Sequence, residues 1–142
     1  MQLERVTVLG LIHCEVLSAS ESILDDVALA EDLQSGCIRF SRYETGSVLP
    51  RRYQCVPSEQ DAAACPSVGR CLAPMFNSRR FGRPDYVQLA VGTPAQILSG
   101  SEQRSEIGAF AGSLNTVRLG NLRAKLNEFM PVGLEPVIIA ET

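Results

Sequence analysis

The stretch LERVTVLGLIHCEVLSASESILDDVALAEDLQSGCIRFSRYETGSVLPRRY, residues 3–53, decides the fold. Its apolar residues come in short runs rich in β-branched side chains, and polar residues or glycine break each run, which is strand chemistry rather than helix chemistry. A shift of roughly 16 residues superposes Val8 on Leu24 and Phe40, Leu11 on Val27 and Tyr43, and Leu17 on Leu33 and Leu49. A repeat of that length, with turns such as Leu9-Gly10 and Asp25-Asp26, predicts coils of a short right-handed parallel β-solenoid (β-helix), each stacking its apolar positions on the next. The competing arrangement is an antiparallel meander, whose strands also recur at short intervals.

Working outward, residues 1–56 are expected to form the coils, residues 57–75 a linker or loop, and residues 76–142 a small α/β cap, giving a mainly β chain. The segment from Val56 to Pro74 loses the strand pattern and gains proline, serine and alanine. Gly92-Thr93-Pro94 offers a helix start, predicting a short helix over Pro94 to Leu98. After Asn115 and Thr116, the residues Leu119, Leu122, Leu126, Phe129 and Met130 fall on one helical face until Pro131 stops it. The tail from Gly133 to Ala140 reads as a final strand, with Pro136 at an edge or start position. At the other end the first coil starts in mid-pattern at Met1, with no polar or helical cap before it. An uncapped coil exposes backbone donors and acceptors, so either preceding coils of a longer parent or a partner chain is expected to cover it.

The chain has 142 residues, a net charge of −3 and 45% apolar residues, the composition of a folded domain rather than a tail or a membrane protein. No secretory leader or spanning run is visible, so cytoplasmic residence is the expectation. The five cysteines, Cys14, Cys37, Cys55, Cys65 and Cys71, lack the short spacing of zinc or redox motifs and are expected to be reduced thiols. The alternatives are a Cys65–Cys71 disulfide or a metal held by Cys55, Cys65 and Cys71 with the one histidine, His13. Neither a metal nor a cofactor is expected.

Charge is unevenly spread. Residues 36–84 hold eight arginines against three acids, whereas the rest of the chain holds five basic residues against thirteen acids. Arginine grips carboxylates bidentately and stacks on aromatic rings, and Tyr43, Tyr53 and Phe81 lie beside these arginines. Arg39, Arg51, Arg52, Arg79 and Arg80 are therefore candidate clamps, docking the basic segment on the acids of the first coils (Glu15, Glu21, Asp25, Asp26, Glu31, Asp32) or on another subunit. Arginine with aromatics also suits a polyanion surface, but acidic first coils repel phosphate, which disfavours nucleic acid. An enzyme would use Asp25-Asp26 with Arg39 and Arg42 on an acidic polysaccharide, although adjacent aspartates more often make a solvated turn. No nucleotide-binding glycine loop is present, and no catalytic residue is assigned.

Several strings together resemble the C-terminal region of large bacterial proteins often encoded beside baseplate and other genes of contractile phage-tail-like injection systems. They are Gly36-Cys37-Ile38-Arg39-Phe40-Ser41, Pro50-Arg51-Arg52-Tyr53-Gln54-Cys55, Phe76-Asn77-Ser78-Arg79-Arg80-Phe81-Gly82 with Pro84, Tyr86, Gln88 and Leu89, Ser105-Glu106-Ile107-Gly108-Ala109-Phe110, Asn121-Leu122 with Leu126, Glu128 and Phe129, and Gly133-Leu134-Glu135. The resemblance implies a long parent with a solenoid-like part ahead of this piece, and it brings no catalytic residues. This chain departs from it in being far shorter and in Thr116-Val117-Arg118-Leu119-Gly120. The expected function is a non-enzymatic structural or interaction module of a larger assembly, meeting a protein partner or another copy through its solenoid edge.

Overall fold

A computed structural model of the chain describes residues 1–64, 72–83, 85–112 and 114–137. Eight short strands follow one another: β1 (Gln2–Glu4), β2 (Thr7–Val8), β3 (Ile12–Cys14), β4 (Ser18–Ser20), β5 (Ile23–Leu24), β6 (Ala28–Ala30), β7 (Cys37–Arg39) and β8 (Arg51–Tyr53). Three helices come later: α1 (Glu59–Ala64), α2 (Ala95–Leu98) and α3 (Leu114–Phe129). Among the described residues these strands pair only in parallel, in sheets of order β1-β4-β7-β8, β2-β5 and β3-β6, and the one isolated antiparallel bridge, Phe76 with Leu89, lies outside them. The chain therefore winds as a parallel β-solenoid of about three turns, and the meander is excluded.

The register explains which parts of the repeat are real. From the first coil to the second the step is sixteen residues, pairing Leu3 with Ala19, Val8 with Leu24 and Ile12 with Ala28. The next step is nineteen, pairing Ala19 with Ile38, and the last is fourteen, pairing Ile38 with Arg52. The expected stacking of Phe40 on Leu24 and of Leu33 on Leu17 is thus corrected. Leu24 lies beside the Arg42-Tyr43 position, its amide donating to the Arg42 carbonyl, while Leu33 is half exposed in an outlooped turn. That turn holds itself together, because one Asp32 carboxylate oxygen accepts the amides of Gln34 and Ser35. Gly36 then returns the chain at φ +89°, where a Cβ would stand 2.2 Å from the Leu17 carbonyl oxygen.

A bend unmarked by glycine repeats at the corner after the widest sheet. Arg5, Glu21, Phe40 and Gln54 occupy successive rungs of this corner with φ of 51°, 47°, 48° and 49°. Left-handed backbone is costly for such residues, so stacking must hold it. The neighbouring serines supply part of that hold: the Val6 amide donates to Ser22 Oγ and the Ser22 amide to Ser41 Oγ. Inside the coils, Ile12, Leu17, Ala19, Leu24, Ala28, Ala30, Ile38 and Tyr43 form one core, against which Leu3, Val8, Cys14, Leu49 and Cys55 pack. Alanine at Ala19, Ala28 and Ala30 keeps this interior narrow, and each fully buried leucine or isoleucine contributes about 1.5–3 kcal/mol.

The expected linker contains a helix. Ser58 and Asp61 cap α1 reciprocally, the Asp61 amide donating to Ser58 Oγ and the Ser58 amide to Asp61 Oδ2. α2 and α3 form close to where the sequence predicts them. No strand occurs over residues 133–137, and the remainder of the expected tail strand lies outside the described residues.

Residues 72–83 and 85–112 pack along the side of the coils as a strap. Ile97 and Ile107 share a second core with Ile23 and Val56, joined by Leu72, Phe76 and Leu89. Gly108 donates to the Glu21 carbonyl and Ala109 to Thr7 Oγ1, so the strap touches rungs from the first coil to the last. Helix α3 covers little by comparison. Leu122, Leu126 and Met130 are only partly buried and Phe129 is 76% exposed; the Leu119 side chain lies outside the described residues.

Candidate interaction surfaces

The five candidate clamps have different fates. Arg79, carried by the strap, reaches Asp25 on the second coil at 2.8 Å, and the Asp25 side chain is 1% exposed. The Arg79 guanidinium also lies over the Phe76 ring, 5.1 Å from its centroid. This is the clamp of basic segment on acidic coil that the charge pattern suggests. Arg52 acts at the end of the stack instead. It stands in the column below Leu3, Ala19 and Ile38, where an apolar residue would continue the core. Its guanidinium donates to the Tyr43 hydroxyl at 2.6 Å, lies 5.2 Å from that ring's centroid, and approaches Glu59 of α1 at 3.8 Å. A charge there disfavours apolar stacking on this rung, although β8 is itself an edge strand with all three residues exposed. Arg39 donates to Ser20 Oγ one rung up. Arg51 and Arg80 are exposed, and neither makes an ion pair among the described residues.

Two hubs have roles other than those the sequence reading gave them. Arg42 is fully buried, donating from Nη2 to Glu44 at 2.7 Å, from Nη1 to the carbonyls of Leu24 and Asp25, and from Nε to the Leu72 carbonyl. It satisfies carbonyls of a turn and ties the coil to the strap. Glu21, 5% exposed, accepts from Arg5 of the first coil at 2.7 Å and from the Glu102 amide of the strap at 3.2 Å. The one cue to Arg42 is its place between Ser41 and Tyr43, two residues from Glu44.

The first coil ends the stack differently. β1, β2 and β3 each pair on one side only, with β4, β5 and β6. Inward-directed groups are used: the Met1, Val6, Val8 and Cys14 carbonyls accept from Ser18, Ile23, Asp25 and Glu31, and the Arg5 and Ile12 amides donate to Ser20 and Val27. Backbone groups alternate along a strand, so those of Gln2, Glu4, Thr7 and His13 face away from the stack. Among the described residues no strand lies on that side. Leu3 and Val8 are half-buried at this rim, and Met1 and Leu11 are 56% and 63% exposed.

Chemistry elsewhere is sparse. Asp26 accepts the Val27 amide, the turn role expected of a neighbouring aspartate pair, while Asp25 is buried against Arg79. His13 meets Glu31 at 3.1 Å. Cys14, Cys37 and Cys55 are free thiols, and burial pushes the Cys55 thiol pKa up; Cys65 and Cys71 lie outside the described residues. No group of three potential metal ligands occurs among the described residues, and none of their helices is long and apolar enough to cross a membrane. Comparison of the chain with protein-family models, with curated proteins and with solved structures returns no match.

Proposed function

We propose that this chain is a non-enzymatic structural module of a larger assembly, whose first coil receives another parallel coil from a partner chain or a longer parent. The observation that carries it is the asymmetry of the two ends. Both ends carry edge strands, but at the last rung the core column ends on the charged Arg52, held by the Tyr43 hydroxyl and near Glu59 of α1, whereas the first rung presents three strand edges over the half-buried apolar Leu3 and Val8, with no strand beside them among the described residues. An open parallel edge over a half-buried apolar rim is a template for strand addition. The resemblance to the C-terminal region of proteins encoded beside phage-tail-like injection systems supports the same reading and suggests that kind of assembly.

The test uses the chain's own register. Since the first step is sixteen residues, a tandem copy of residues 1–16 placed before Met1 supplies one further coil in phase. The expected outcome is a higher Tm and slower exchange of the Gln2, Glu4 and His13 amides of the original first coil. A tandem copy that remains unstructured while the parent domain keeps its Tm contradicts the proposal.

A further inference from the structure

The strap carries a second contact element that neither the coil stack nor the open edge uses. Residues 80–83 form a tight turn in which the Arg83 amide donates to the Arg80 carbonyl and Gly82 adopts φ +88°. Phe81 stands at its tip, 90% exposed, between the exposed Arg80 and Arg83. The turn is held in place: the Arg80 amide donates to Ser78 Oγ, Tyr86 meets the Phe81 ring edge-on at 5.5 Å, and the adjacent Arg79 is locked to Asp25. An aromatic side chain presented on a hydrogen-bonded turn between two arginines has the make-up of an interface anchor.

The same chain carries a complementary surface. On the outward side of β3 and β6, His13 is opposite Leu29, and Leu29 is bridged to Val48. Val48 and, at the flanking turns, Leu11 and Leu33 are 44%, 63% and 48% exposed. Glu15, Glu31 and Asp32 border this apolar strip, the backbone linking Asp32 to Glu15 and Glu31 to Cys14. Arg83 also meets Asp85 at 3.4 Å and Glu31 meets His13 at 3.1 Å, both near the surface, so Arg80 and the Glu15 carboxylate bring the complementary charge while the apolar strip suits the phenylalanine. We infer that the Phe81 turn of one copy docks on the β3/β6 face of a second copy, Phe81 against Leu29 and Val48, with Arg80 facing Glu15. The contact is reciprocal in a two-fold pair, and it stands independently of the open-edge reading.

Sedimentation equilibrium of the full chain at low and high salt tests this. Wild type is expected to dimerise, with salt weakening the association. Phe81→Ala, Arg80→Glu and Val48→Lys each weaken it at least tenfold without changing Tm, since all three side chains are exposed. Mixing Phe81→Ala with Val48→Lys restores pairing, because one turn and one face are then intact across the heterodimer. Glu4→Pro, which alters only the open edge, leaves the dimer in place. A wild-type chain that stays monomeric at low salt overturns the inference. So does association that survives Phe81→Ala and Val48→Lys but is lost in Glu4→Pro, a result that would leave the open-edge reading standing.

Discussion

Arg42 shows how one residue can be both the least expected and the most constrained part of a fold. A fully buried guanidinium is tolerated because its donors meet Glu44 and the carbonyls of Leu24, Asp25 and Leu72. Arg42→Met leaves the Glu44 carboxylate buried without its guanidinium and strands those carbonyls. The expected loss is about 3–5 kcal/mol in urea unfolding. Arg42→Met with Glu44→Gln should recover part of it, because the buried carboxylate that loses its guanidinium is gone; an Arg42→Met protein as stable as wild type contradicts this account. Asp32 gives a pH-dependent case. A hydrogen bond from the Ser35 side chain, with the amides of Gln34 and Ser35, holds its carboxyl pKa below the usual carboxylate value. A depressed carboxyl stabilises the folded form above its unfolded value of about 3.9 and ceases to do so as pH falls through the folded value. The 32–36 turn is therefore expected to loosen below about pH 4, seen as faster exchange of the Gln34 and Ser35 amides relative to those of β6 after correction for intrinsic rates. Unchanged relative protection across that range would sink the assignment.

At the scale of elements, the strap decides how the coils hold together. Its closest approach is Gly108, with φ +107°, where a Cβ would stand 2.7 Å from Thr7 Oγ1 and 2.9 Å from Ile23 Cδ1. Gly108→Ala is therefore expected to lift the strap, costing about 1–3 kcal/mol and speeding proteolysis within residues 72–112. A variant with native Tm and native proteolysis would show that the strap is not braced there. How much of this was legible follows from what repeats. The parallel stack could be read because Val8 and Leu24 are apolar at matched positions, and helix α3 because Pro131 and its apolar spacing mark it. The unequal later steps could not be read by a fixed shift, since the Asp32–Gly36 turn makes the second step nineteen residues against sixteen for the first. The left-handed corner was hidden because Arg5, Glu21, Phe40 and Gln54 share a backbone conformation and no side-chain chemistry. Ser58 and Asp61 at capping-box spacing did signal α1, but the surrounding proline and serine masked it. Of the candidate arginines, charge pattern alone marked Arg79 and Arg52; their partners depend on three-dimensional placement.

Across the whole molecule, the two ends of the stack and the side strap divide the work. The strap joins rungs laterally through Thr7, Glu21, Ile23 and Val56, the charged Arg52 ends the core column on one side, and β1, β2 and β3 present outward backbone over an apolar rim on the other. The proposed assembly role asks for a module braced along its length whose first rim takes a further coil. Residue-resolved amide exchange of the chain, in dilute solution and in its assembled form, tests that claim most directly. In the dilute monomer the Leu3, Arg5 and Ile12 amides should exchange slowly and those of Gln2, Glu4 and His13 quickly, the second set becoming slow on assembly. Uniform protection of both sets in the dilute monomer, or of neither, would contradict the open parallel edge.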